Sequence, residues 1–175
     1  MKKPPTIIGR TAVMEVIGEP GLVVPVKVDT GADRSSIWAS DFHISHDGEL
    51  SYVFFEEGHP QYSGVRHRTR QFGVSRVKSS TGHEQVRYRV KLVVELSGRR
   101  VRGTFTLSDR SSNTYPVLIG CTLLNRKFIV DVSKGVPKIE PRGGSVKNTL
   151  NKELSKDPRA FFEKYHKSND EEEIA

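Results

Sequence analysis

The sequence predicts an all-β domain of antiparallel strands over residues 1–135, followed at 136–175 by a linker, one helix and an acidic tail. Three observations carry this expectation. Apolar and polar residues alternate in twos through several short runs, the period of a half-buried strand. Between those runs stand "SSTG" (79–82) and "SG" (97–98), which are hairpin turn signals. Beyond residue 135 the alternation gives way to "GVPKIEPRGGSVKN", a Pro-, Gly- and Ser-rich stretch that reads as a linker.

"LVVPVKVD" (22–29) is apolar and β-branched and ends on Asp29. "FGVSRVK" (72–78) and "EQVRYRVKLVVEL" (84–96) alternate on either side of "SSTG", which predicts a long hairpin tipped near Gly82. Period two sets Arg87, Arg89 and Lys91 on one face and turns Val86, Tyr88, Val90 and Leu92 toward the core. Arg66, Arg68 and Arg70 recur with the same period and are expected to pair with that strand. "RRVRGTFTL" continues the sheet, "CTLLNR" makes a brief helix after Gly120, and "KFIVDV" is a final strand. In "DPRAFFEKYHK", Asp157 is an N-cap and Pro158 a first-turn residue, with Phe161, Phe162 and Tyr165 as an apolar stripe. That helix is expected to dock on the domain or on a partner subunit.

A chain of 175 residues fits one domain and a tail, hardly two independent domains. One cysteine, Cys121, excludes an internal disulfide framework and fits a reducing compartment. No apolar run approaches the roughly 20 residues needed to cross a bilayer, so no membrane segment is expected. "MKKPPTIIGR" lacks the apolar core of a secretory signal, so a cytoplasmic location is expected, or a periplasmic one if a signal peptide was removed. Net charge is +7, but the last six residues carry four of the 21 acids. Residues 1–169 therefore hold 28 basic against 17 acidic groups, or +11, a field that favours acidic partners.

"VKVDTGADRSS" (26–36) follows its strand with a carboxylate, a hydroxyl and a glycine. One reading is an ordinary Asx-type turn. The other is a catalytic carboxylate at a stiff bend, where Gly31 allows a sharp turn and close backbone approach and Thr30 can hydrogen-bond across the loop. "YPVLIGCTLL" (115–124) supplies what would brace such a loop from behind, apolar bulk and a close glycine turn at Gly120.

Together these motifs resemble the retropepsins, the single-domain aspartic proteases. "DTGAD" is similar to their catalytic loop, "VLIG" before the leucines to their hydrophobic-hydrophobic-glycine element, and the turn at Gly82 to their flap. "DRSSNTYPVLIG" resembles a bacterial RimB-like group labelled ATP-dependent zinc proteases. The resemblance implies an acid-protease barrel with a flap hairpin, Asp29 as catalytic residue, and Thr30, Gly31, Ala32 and Gly120 as loop support. It implies Asp33, Ser79, Ser80 and Gly82 as substrate-binding. Retroviral members follow the second motif with an arginine that pairs with the aspartate after DTGA. Cys121 stands there, leaving Arg110 or Arg34 as candidate partners of Asp33.

Neither half of the group's label is written in the residues. No glycine-rich phosphate loop with Lys and Ser/Thr appears, nor a His-Glu-x-x-His pair, so no cofactor and no metal are expected. His43 and His46 read as solvated histidines lacking a third ligand. Ser35 and Ser36 read as capping and turn residues, and Trp38 either walls a subsite or belongs to the core.

Aspartic proteolysis needs two carboxylates sharing one proton, and no second Asp-Thr-Gly or Asp-Ser-Gly occurs. The economical answer is a C2 homodimer in which Asp29 meets its own copy. The bacterial group is associated with ATP-grasp ligases that add glutamates to protein tails, which implies an acidic peptide substrate. The alternative is an inactive retropepsin-fold module binding an acidic protein or RNA. Nucleic acid is the weaker partner class, since only Tyr88 and Phe72 lie near the arginines as stacking aromatics.

Overall fold

A computed structural model describes residues 3–78, 84–135 and 144–166. Chain contacts divide the protein into two units, Met1–Pro137 and Lys138–Ala175. The first contains β1 (Thr6–Ile8), β2 (Thr11–Val16), β3 (Val23–Val28), β4 (Ser35–Ile44), β5 (Leu50–Phe54), β6 (Arg66–Thr69), β7 (Phe72–Lys78), β8 (Glu84–Leu96), β9 (Arg99–Ser108), β10 (Val117–Ile119), α1 (Cys121–Leu124) and β11 (Phe128–Val130). The second contains α2 (Gly144–Lys156) and α3 (Pro158–His166).

Six strands close into a barrel in the order β10-β3-β2-β8-β9-β4, because β4 pairs back onto β10 through Ile37 and Ser36. Closure removes the sheet edges that would otherwise template association. Alternation fills the interior: Val24, Val26 and Val28 from β3, Val94 and Leu96 from β8, Phe105 and Leu107 from β9, and Val117 and Ile119 from β10 are all buried. The all-β barrel, the brief helix after Gly120 and the flap-type hairpin are as the sequence predicts. The hairpin arms β7 and β8 pair from Phe72 opposite Val90 to Lys78 opposite Glu84. Its tip, with Ser79, Ser80 and Gly82, lies outside the described residues. Ser97 and Gly98 both have positive φ, 50° and 72°, as a two-residue type I′ turn between β8 and β9 requires.

Several local expectations change. Three pairings are parallel, β3–β10, β4–β9 and β1–β11. Side-chain alternation is the same for either strand direction, so the pattern cannot reveal it. β6 pairs with β5, not with β8, so Arg66 and Arg68 stand apart from the Arg87 strand. Arg66 and Arg70 instead form ion pairs with Asp41 and Asp47. Val86 is 68% exposed, because it sits on the outer part of the hairpin, beyond the core under Val90.

The long interval after residue 40 is an extension of the barrel. β4 continues past a bulge between Ser40 and His43, β5 pairs with that continuation, and all five residues of β5 are buried. In the second unit, α2 begins inside the stretch read as linker. α3 starts as predicted: Asp157 Oδ1 accepts the amides of Arg159 and Ala160 at 3.1 and 2.9 Å. Glu153 of α2 bonds Lys164 and, at 3.0 Å, the hydroxyl of Tyr165 on α3.

Candidate active site

The parallel pairing of β3 with β10 matches Val28 to Ile119, so the residues that follow, Asp29 and Gly120, leave the barrel side by side. The Asp29 amide donates to Ile119 O at 2.9 Å. Gly31 N–H then donates to Asp29 Oδ1 at 3.0 Å, and Ala32 N–H to Asp29 O at 3.3 Å. These bonds hold the Asp29 carboxylate, half-buried, at the mouth of the barrel. Gly31 is not left-handed here. Its contribution is room, since a Cβ would lie 3.3 Å from Asp29 Oδ1.

The second motif clasps the loop from behind. Cys121 N–H donates to Ala32 O at 2.8 Å, Thr122 N–H to Asp33 O at 2.9 Å, and Thr122 Oγ1 to the same carbonyl at 2.6 Å. Cys121 Sγ donates to Thr30 O at 3.0 Å. Gly120 permits all of this by lying flat on the loop: a Cβ there would come within 2.5 Å of Arg34 C and 2.7 Å of Ala32 O. The close backbone approach expected at Gly31 therefore occurs at Gly120. Ser35, read as a turn residue, accepts the buried Gly120 amide on Oγ at 3.1 Å. Position alone could not assign Ser35 that task, because its donor is 85 residues away.

Asp33 and Thr30 are exposed. Neither candidate arginine takes the Asp33 carboxylate among the described residues. Arg34 bonds Ser75 Oγ on β7, tying the loop to the hairpin. Arg110 donates to Ser36 Oγ at 3.0 Å and Tyr115 O at 3.1 Å. Burial holds the Arg110 guanidinium below its ordinary range, the neighbouring Arg87 charge adds to this, and the Asp29 carboxylate opposes it. A cleft of about 480 Å3 opens here, with Gly31, Ala32 and Asp33 on one side and Arg76, Arg87 and Arg110 around it.

Trp38 belongs to the core, 7% exposed and edge-on to Phe55 and His59 at 5.9 and 5.1 Å. His43 and His46 are exposed. Among the described residues no group of three or more His, Cys, Asp or Glu could hold a metal ion, and no helix is long and apolar enough to cross a membrane.

Residues 14–141, which hold the loop, its clasp and the cleft, match the family described as RimB-like, retropepsin-like aspartic endopeptidase RimB. The chain belongs to the RimB-like family. Two relatives, from Shewanella pealeana and Shewanella halifaxensis, are each 32% identical over 123 residues and each named "Probable alpha-L-glutamate ligase". Those matches cover 66% of this RimB-like chain but 26% of the relatives, so the chain spans about a quarter of their length. A solved Legionella pneumophila protein of unknown function superposes with a TM-score of 0.56 at 22% identity, over 74% of this chain and 95% of that one. That likeness is one of fold.

Proposed function

We propose that the chain is an aspartic endopeptidase in which Asp29 and its copy from a second chain activate one water across a C2 axis. The catalytic unit is residues 1–135, and the substrate is an acidic or glutamate-rich peptide. The observation that carries this is the Asp29 loop itself. A half-buried carboxylate is held by its own turn and by a second motif; the next residues of its loop, Gly31, Ala32 and Asp33, line an arginine-rich cleft, while Asp29 itself lines a neighbouring pocket with Arg10, Thr11 and Tyr115.

One such loop supplies half of a dyad. Two identical carboxylates brought within hydrogen-bond reach cannot both ionise, so they share one proton. The ionised member accepts a proton from water as it attacks the scissile carbonyl, while the protonated member donates to the carbonyl oxygen. Collapse of the tetrahedral intermediate then returns a proton to the departing amine. Gly31 and Ala32 line the cleft where peptide backbone would run, and Asp33, also in its lining, would accept a peptide N–H. Ser79, Ser80 and Gly82, which lie outside the described residues, are assigned to substrate binding by the resemblance alone.

The substrate class is supported by the cleft's charge and by the relatives named as glutamate ligases. A ligase that forms glutamyl peptide bonds makes the class of bond that this peptidase would cut. The test is to incubate the protein with poly-glutamate and with neutral peptides, alongside Asp29→Asn. Cleavage of the acidic peptide alone, lost in Asp29→Asn with the fold intact, is the expected result. Equal turnover of both peptides removes the acidic preference, and full activity in a protein trapped as a monomer removes the dyad. A monomeric mass with peptide binding but no cleavage would favour the inactive binding module.

A further inference from the structure

Four arginines line the cleft, and they differ in what they hold. Arg34 bonds Ser75 Oγ, and Arg76 lies 3.4 Å from Glu84 in an exposed ion pair. Arg87 donates Nε to Gln85 Oε1 at 2.8 Å, and Arg110 donates Nε and Nη1 to Tyr115 O and Ser36 Oγ. These partners of Arg87 and Arg110 are neutral. They fix each guanidinium while leaving Nη2 of Arg110, and both Nη groups of Arg87, without a bond among the described residues.

The two cations line the same cleft, and Arg110 feels the charge of Arg87. Burial pulls both below the ordinary arginine range, and the Arg87 charge presses Arg110 further down, an effect that the Asp29 carboxylate offsets only in part. Like charges brought together with water partly excluded cost free energy that an anion between them would recover. Their open N–H edges suit the planar, two-oxygen geometry of a carboxylate. Among the described residues the cleft lining includes Val77 and Leu118 but no aromatic ring, which is not the stacking surface that single-stranded nucleic acid uses.

We infer that Arg87 and Arg110 form a two-guanidinium subsite for one side-chain carboxylate of the bound peptide, beside the Asp29 loop. The inference rests on the peptidase reading and sharpens it: acidity is read at one substrate residue instead of by the overall field. Lys91, on the same face of β8 but exposed, contributes general attraction that salt screens.

The probe is a neutral glutamine–alanine peptide carrying a single glutamate, moved stepwise along it, with cleavage sites read by mass spectrometry. The scissile bond should follow the glutamate at a fixed offset. An all-neutral peptide should fall roughly 10- to 100-fold in kcat/KM, the scale of a lost charge-assisted bond pair. Arg87→Gln should abolish both the offset and most of that ratio, and Arg87→Lys should restore part of it. Arg110→Gln also removes bonds to Ser36 and Tyr115, so Arg87→Gln, whose described partner is exposed Gln85, decides the matter.

Titrating the same peptides into Asp29→Asn protein by calorimetry separates the two readings. Glutamate-dependent binding that Arg87→Gln removes, without cleavage by the wild type, would sink the peptidase and keep the subsite. Cleavage indifferent to where the glutamate stands would overturn the subsite and leave the peptidase standing. Indifference to glutamate in both assays does the same to the subsite whether or not cleavage occurs. Tighter binding of a short RNA, lost in Arg87→Gln, would replace the carboxylate by a phosphate.

Discussion

Gly120→Ala is the most informative single change, because the structure states what its added methyl would strike. The nearest atoms are Arg34 C at 2.5 Å, Arg34 O at 2.6 Å and Ala32 O at 2.7 Å, all backbone and none able to rotate away. Restoring ordinary contact at about 3.4 Å means separating the two motifs by roughly 0.9 Å. Overpacking of this kind costs about 1–3 kcal/mol. The separation also stretches the bonds from Cys121 and Thr122 to Ala32 O and Asp33 O, each contributing about 1 kcal/mol. The expected destabilisation is therefore roughly 3–5 kcal/mol, a large share of a typical domain's stability. In a chain of this length it lowers Tm by about 10 °C. A displacement near 1 Å in a catalytic loop costs on the order of 100-fold in rate. Thermal unfolding, together with peptide cleavage measured well below the variant's Tm, reads the two effects separately. A variant with wild-type Tm and wild-type kcat/KM would refute the reasoning, since the clasp could then open without consequence.

Gly31→Ala should behave differently. Its Cβ meets only the Asp29 carboxylate, at 3.3 Å, so stability should change by less than about 1 kcal/mol while kcat/KM falls at least roughly tenfold. Equal losses of stability and rate would count against a purely local push. Ser35→Ala leaves the buried Gly120 amide without its acceptor and should cost about 1–3 kcal/mol in urea unfolding. Tyr52, buried and facing Glu19, has its phenol pushed up from 10.0 to about 12, first by burial and then by that carboxylate. The raised value favours the neutral folded form, so this stability is complete below about pH 10 and is lost as pH rises toward 12. Two units correspond to about 2–3 kcal/mol. Tyr52→Phe should flatten that part of the alkaline unfolding profile, and an unchanged slope would show that other groups govern it.

Where sequence and structure agree, the cause is local. β7, β8 and β9 follow from alternation, the β8–β9 turn from Ser97 and Gly98, and the start of α3 from Asp157 and Pro158. Where they differ, the missing information lies elsewhere in the chain. Arg66 alternates as faithfully as Arg87, yet its strand pairs with β5, because packing and not period chooses the neighbour. α2 was hidden behind Gly, Ser and Asn residues that read as linker, and its paired partner α3 supplies contacts that propensity does not count. The sequence offers Arg34 and Arg110 as partners for Asp33, but the fold gives them to Ser75, Ser36 and Tyr115.

By itself the sequence determined that a carboxylate would end a strand at a tight bend, and that an apolar strand with a glycine would be available to brace it. Turn chemistry and strand period act between neighbours, so a short stretch contains all they need. Only the tertiary structure decided that the bracing strand would lie parallel to the first, with Ile119 opposite Val28, and that Ser35, Arg87 and Arg110 would gather around the result. Strand direction and register are set when the barrel closes and buries one face of every strand at once, a condition on the whole chain that no single segment carries.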